Sequence, residues 1–335
     1  MMWRQASTAT WDGKARGYDL GDKEACTVRL VGEGGCMSAE QSGGLSTSGD
    51  GHHLSPDEDG RRGRLREARA LAKSDPGEGL PLVASLCHEL AWDLLEEGLL
   101  SDAEALVREE LAAVRFLVAN DPEAFLPRVA DACENLAGIL WEGGDPAEAE
   151  PLYREALSLR RSLAGQDPAE GPLSEVASSC VDLALFLEDL GRLEEAEPLL
   201  REALGTYRSL RGGHALSWAA MVARTGFVLA RVLDCAGRPE EAEPLLREAL
   251  ECYRTLAASD PDEDGLPALI PEAGPPMGVL ATILAEEGRA KEAEELFREG
   301  LSMYAILAQT HPEREDFRLG EEAFRESLAQ LSAGV

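Results

Sequence analysis

Residues able to do chemistry are few in this 335-residue chain, and their spacings argue against each familiar use. Asp260-Pro261-Asp262-Glu263-Asp264-Gly265 matches the opening of a calcium loop, in which alternate carboxylates and a turn glycine wrap the ion. The closing glutamate belongs at position 271, which is Pro271, and Glu272 misses by one. The same junction elsewhere reads Asp75-Pro76-Gly77-Glu78-Gly79-Leu80-Pro81 and Asp121-Pro122-Glu123-Ala124-Phe125-Leu126-Pro127, so the acids decorate a repeated turn, with calcium as the alternative. Cys26, Cys36, His52 and His53 fit no zinc spacing. His88-Glu89 lacks the second histidine of a zinc protease, and Gly32-Glu33-Gly34-Gly35 lacks the lysine and hydroxyl of a phosphate loop. No nucleophile sits with a base. The expectation is therefore no catalytic residue, no metal site and no cofactor, with an enzyme of unrecognised motif as the remote alternative.

Composition narrows the partners. Sixty-three acids against 32 bases give a formal net charge of -31. Such a surface repels phosphate, which disfavours nucleic acid and anionic lipid and favours cationic proteins. No apolar run is expected to reach the roughly 20 residues that span a bilayer, and Met1-Met2-Trp3-Arg4-Gln5 does not open a signal peptide. The seven cysteines form no CxxC pair and read as thiols of a reducing cytoplasm.

The elements come from a repeat. Gly98, Gly144, Gly191, Gly237 and Gly288 recur 46, 47, 46 and 51 residues apart, each followed at fixed distance by Ala-Glu. A second marker runs in register: Asp75-Pro76, Asp121-Pro122, Asp167-Pro168, Asp260-Pro261 and His311-Pro312. Leu136, Ala137 and Leu140, then Leu183, Ala184 and Leu187, fall at helical spacing before the glycine. The glycine suits a helix end of left-handed conformation. Pro146 and Pro239 suit the first turn of the next helix, and Glu194-Glu195 and Glu240-Glu241 the positive end of its dipole. Glu→Arg pairs four apart, such as Glu197–Arg201 and Glu243–Arg247, mark the second helix. Pro151, Pro198 and Pro244 fall inside it, where a kink is expected. Asp-Pro closes it.

Residues 1–60, rich in Gly, Ser, Thr and Asp, read as a disordered tail, with Met37 as an alternative start. Residues 61–335 read as helix pairs over 80–122, 123–168, 169–213, 214–261 and 266–312, capped by helices at 61–75 and 314–333.

The repeat resembles the tetratricopeptide family. Leu136, Ala137, Leu140, Gly144, Ala149, Tyr153 and Ala156 match its motif, as do Leu183, Ala184, Leu187, Gly191, Ala196, Leu200 and Ala203. So do Leu229, Ala230, Leu233, Gly237, Ala242, Leu246 and Ala249. The fifth unit matches through Leu280, Ala281, Leu284, Gly288, Ala293 and Phe297, with Gly300 for the last alanine; the first carries Glu110 there. Cys87, Cys133, Cys180, Gly226 and Met277 replace the family's first-helix tryptophan. The string at 195–204 and 241–250 looks like the longer-repeat branch typified by kinesin light chains and similar bacterial proteins. The resemblance implies an all-α, right-handed α-solenoid of about five pairs, with helices longer than those of the usual repeat of about 34 residues.

It also implies a peptide or protein bound in a concave groove lined by first helices. The groove positions map to Ser85, His88, Trp92 and Glu96, then Asp131, Glu134, Trp141 and Glu142. They continue through Ser178, Val181, Leu185, Glu188 and Asp189 to Arg224, Phe227, Arg231 and Asp234. Aromatics ringed by charge are what binding hot spots look like, the alternative being that Trp92 and Trp141 are core. The lysines and asparagines of the family's carboxylate clamp are absent and acids stand in several places, which points to a ligand with basic and apolar side chains. Arg224 and Arg231 either form a local basic patch or pair with nearby acids. The function implied is a non-enzymatic adaptor, with a peptide-responsive sensor as the alternative and self-association through exposed aromatics possible.

Overall fold

A computed structural model describes residues 56–210, 215–259 and 270–333. The Asp260–Gly265 turn, the residues 1–55, and with them Cys26, Cys36, His52, His53 and Gly32–Gly35, lie outside the described residues. Among those described there are twelve α-helices and no strand. They are α1 (Pro56–Ser74), α2 (Pro76–Glu96), α3 (Leu100–Leu117), α4 (Pro122–Glu142), α5 (Pro146–Gln166) and α6 (Glu170–Asp189). Then come α7 (Leu193–Ser209), α8 (Ala215–Cys235), α9 (Pro239–Ser259), α10 (Gly274–Glu286), α11 (Ala290–Thr310) and α12 (Glu315–Ala333). Contacts group them into two compact units that divide between Leu163 and Ala164.

In the first unit α1 packs on α2, α2 on α3 and α3 on α4. In the second each helix from α6 to α12 packs on the next. Both units are α-solenoid packing, in which a helix pair buries its apolar stripe against its neighbours.

Every pair turns on one device. Gly98, Gly144, Gly191, Gly237 and Gly288 all have φ between 72° and 82°. The following residue's N–H then reaches back to the carbonyl of a buried leucine: Leu99 to Leu94, Asp145 to Leu140, Arg192 to Leu187, Arg238 to Leu233 and Arg289 to Leu284, at 2.8–2.9 Å. This is the Schellman closure, and it satisfies carbonyls the helix end would otherwise leave open. The second helix starts at once, and its first buried residue is an alanine (Ala103, Ala149, Ala196, Ala242, Ala293) with no exposed surface. A methyl there lets the paired helices approach closely.

The Asp-Pro junction does more than end a helix. Asp75 accepts from the N–H groups of Gly77 and Glu78, and Asp121 from that of Ala124, with Pro76 and Pro122 in the first turn of α2 and α4. The marker therefore also opens the next helix, which lengthens α2 and α4 to 21 residues each. Five residues after each of these first prolines stands another, Pro81 and Pro127, in the register that Pro151, Pro198 and Pro244 occupy in α5, α7 and α9. All five helices run on through them. Pro151, Pro198 and Pro244 are exposed, as are Ala147, Glu194 and Glu240, whose carbonyls lose a partner, so each gap in the ladder falls on the solvent side of its helix.

Gly300 also has a reason. A Cβ there would lie 2.3 Å from the ring of Phe324, which α12 inserts, fully buried, against α11. The terminal helix takes the space of the expected alanine.

One expectation is corrected. Leu216–Cys235 is long and apolar enough, by length and composition, to cross a membrane. The reason is that α8 is a core helix: 56% of that stretch is buried, and α8 packs on both α7 and α9.

The Glu→Arg pairs join repeats as well as marking helices. Arg108 bonds Glu104 at 2.8 Å and, forty residues on, Glu148 at 2.7 Å. Arg115 reaches Glu155 at 2.6 Å, Arg201 reaches Glu241 at 2.9 Å and Arg208 reaches Glu248 at 3.0 Å. After the longer spacing the partners lie 45 residues on: Arg247 to Glu292 at 3.0 Å and Arg254 to Glu299 at 3.3 Å. Two sets close into rings of alternating charge. Glu197, Arg201, Glu241 and Arg238 form one, at 2.7–2.9 Å. Glu243, Arg247, Glu292 and Arg289 form the other, at 2.8–3.0 Å. Solvent screens each pair, so the rows act through number and regularity in holding register.

Two outcomes follow. Nothing lies within 4 Å of a Cβ at Gly237, so Gly237→Ala has only the left-handed backbone to oppose it and should lower stability by about 1 kcal/mol. Gly237→Asn should cost less, and equal denaturation midpoints for parent and alanine variant would contradict the turn's role. The bonds from Arg289 and Arg247 pull Glu292 down to about 2, and those from Arg238 and Arg201 lower Glu241. With folded values below the unfolded value of about 4.3, these groups stabilise fully above it and lose that contribution as pH falls toward 2. Melting curves should show Glu292→Gln flattening part of the acid loss at low salt. An unchanged acid slope would contradict the ring.

Candidate partner-binding face

In the first unit the first helices of the pairs are α2 and α4. Trp92 and Trp141 stand on them half-buried, neither sealed in the core nor fully open. Around them Glu96, Glu142 and Ser85 are exposed and His88 is half-buried, while the Asp131 side chain keeps 48% of its surface. Glu134 is buried.

Two charged residues occupy core positions and organise this face. Glu110 stands in register with Ala156, Ala203 and Ala249, and Arg160 in register with Tyr207, Tyr253 and Tyr304; all are buried. Glu110, from α3, has one carboxylate oxygen 3.3 Å from Nδ1 of His88. The Trp92 indole N–H donates to Nε2 of the same ring at 3.0 Å, with ring centroids 6.1 Å apart and edge-on. An indole nitrogen only donates, so Nε2 carries no proton and Nδ1–H donates to Glu110. Arg160, from α5, donates to Glu134 at 2.6 Å and to Asp131 at 2.9 Å. The bond to Glu110 raises the His88 value despite burial, and burial raises that of Asp131 against the pull of Arg160. Buried charge is costly, and a core that keeps Glu110, Glu134 and Arg160 out of water marks a functional candidate.

The second unit differs. Val181 and Phe227 are buried, whereas Leu185 and Arg224 are half-buried and Asp189 is exposed. Arg231 is bound through Nε to Glu188 at 3.0 Å and lies 5.6 Å from the centre of the Phe227 ring. Of the two expected outcomes for this arginine, pairing with an acid is the one seen. Asp234 is buried.

Other chemistry is thin. Among the described residues no group of three or more His, Cys, Asp or Glu is placed to hold a metal ion. Burial pushes the thiols of Cys87 and Cys133 up to about 12, so they are small core side chains and poor nucleophiles. A cavity of about 330 Å³ opens where the repeat spacing is longest, lined by Tyr253, Ile270, Met277, Met303 and Ile306, with Arg254 and Glu299 also in its wall.

Three family models described as tetratricopeptide repeat match residues 129–170, 175–255 and 275–299. The fold is similar to the crystal structure of BtubC (BKLC) from P. vanneervenii, with TM-score 0.56 and 21% identity over 75% of this chain and 90% of that one. It is also similar to the crystal structure of a single-residue variant of a Podosopora anserina putative kinesin light chain with nearly identical TPR-like repeats. There the TM-score is 0.51 and the identity 21%, over 69% of this chain and 98% of that one. No curated protein matches the chain.

Arg160→Ala should destabilise the chain by about 3–5 kcal/mol, because it takes a charged partner from the buried Glu134 carboxylate. Arg160→Tyr combined with Glu134→Leu should recover most of that loss. Denaturant unfolding checks both, and an Arg160→Ala variant as stable as the parent would contradict the linked cluster.

Proposed function

Because this chain is a tetratricopeptide-repeat protein, we propose that it is a non-enzymatic scaffold that binds a protein or peptide on the first-helix faces of its repeats. The observation that carries the reading is the pair of half-buried tryptophans, Trp92 and Trp141, on α2 and α4. Partly exposed indoles beside charged groups supply apolar contact with a polar rim, the anatomy of a binding hot spot.

The surroundings set the ligand. Glu96, Asp131 and Glu142 are open at this face, and the whole chain carries -31. A segment with lysine or arginine beside apolar side chains is complementary, and phosphate-bearing partners are not. In the second unit Leu185 and Arg224 are half-buried, with the Glu188–Arg231 pair on the same two helices. Thiols without CxxC spacing accord with a cytoplasmic setting.

The test is capture from extract of the source cell with the full chain immobilised, beside Trp92→Ala/Trp141→Ala checked for unchanged helicity. A partner should be held by the parent, released by added salt, and bound at least about thirtyfold more weakly by the variant. Equal affinity for both baits would overturn the assignment to this face.

A further inference from the structure

His88 stands between the face and the core. One ring nitrogen accepts the Trp92 indole N–H at 3.0 Å, and the other donates to the buried Glu110 at 3.3 Å. We propose that His88 is a proton-operated latch on Trp92: the neutral ring holds the indole, and protonation releases it while tightening the bond to Glu110.

The chemistry is a change of sign at one atom. A neutral imidazole has one acceptor nitrogen, and here Trp92 uses it. Protonation turns Nε2 into a donor, so two N–H groups face each other where a hydrogen bond stood. At Nδ1 the reverse happens, because N–H⁺ to carboxylate is the stronger, charge-assisted bond. Release of Trp92 and retention of the fold are therefore driven by the same proton.

The groups facing the ring set where this occurs. Glu110 on α3 and Asp131 on α4 favour the proton, and Arg128 on α4 opposes it. Two charges of α1 are engaged elsewhere: Arg61 pairs with Asp93 at 2.9 Å, and Arg69 is bound through Nε to Glu109 at 2.8 Å. Glu89, on the same helix, is exposed to solvent. The bond to Glu110 outweighs the opposing effect of burial, which moves the transition above the ordinary histidine value of 6.5. By linkage the His88–Glu110 contribution to stability is complete below 6.5 and is lost as pH rises through the folded value, while the Trp92 bond is kept only above it.

Control of ligand binding by this latch rests on the partner-binding reading of Trp92; the latch itself needs no ligand. The full chain labelled with ¹⁵N-tryptophan shows each indole N–H as a separate resonance, and Trp92→Phe identifies that of Trp92. Across about pH 5.5 to 8.5 that resonance should titrate with a midpoint above 6.5. Its protection from exchange with water, taken against a free indole at the same pH, should fall at least about fivefold on the acid side. His88→Gln should abolish the titration, and Glu110→Gln should move the midpoint down. A flat resonance, the same titration in His88→Gln, or an unmoved midpoint in a folded Glu110→Gln would each overturn the latch. Should Glu110→Gln fail to fold, the parent and His88→Gln decide. A flat resonance would leave the binding face standing, just as equal capture by the tryptophan variant would leave the latch standing.

Discussion

The whole arrangement depends on ending each first helix with one residue in the left-handed region. Gly98, Gly144, Gly191, Gly237 and Gly288 do this with nearly equal φ, and each closes its helix on the carbonyl of a buried leucine. That closure leaves no slack before the second helix. The first residue to be buried there must be small, and Ala103, Ala149, Ala196, Ala242 and Ala293 meet the need with no exposed surface. Once direction and distance are set, the exposed arginines of second helices find glutamates at a constant interval. Where five residues are added between the fourth and fifth glycines, the interval grows from 40 to 45 and a cavity opens beside it. Local backbone chemistry, helix approach and repeat-to-repeat charge pairing thus form one chain of cause.

A stack built this way supports its faces from behind, which lets a few positions depart from the repeat. The departures concentrate in the first unit. Glu110 replaces an alanine and Arg160 a tyrosine, each buried, and they pair with His88, Asp131 and Glu134 on first helices. Replacing such buried partners together by apolar residues of similar volume would be as stable or more so. The polar choice instead fixes the orientation of groups around Trp92. The second unit keeps its tyrosines and buries Val181 and Phe227, so its face is flatter in chemistry.

Much of the fold was legible because its determinants are local and repeated. A glycine, an alanine at fixed distance and an acid–base pair four apart declare their helix in any unit, and the five copies confirm one another. The limits of α2 and α4 were harder, since Asp75 and Asp121 serve two helices at once and only the cap geometry reveals the second role. The apolar length of α8 was also misjudged: Arg224 and Arg231 break the run by eye, yet the stretch is apolar enough by composition. The site was less legible because burial is a property of neighbours. Phe227 and Glu134 carry the residue types of a binding face but lie inside. Glu110 was visible at its alanine position but only as a weak match to the motif, and Arg160 could have been found by reading its repeat column for a charge among tyrosines.

The function proposed for this chain turns on which face carries the ligand. The direct measurement is amide hydrogen exchange along the chain, alone and with its captured partner. Binding as described should slow exchange in α2 and α4, beside Trp92 and Trp141, and leave the exposed faces of α3, α7, α9 and α11 unchanged. Protection confined to those second helices, with α2 and α4 unaltered, would contradict it.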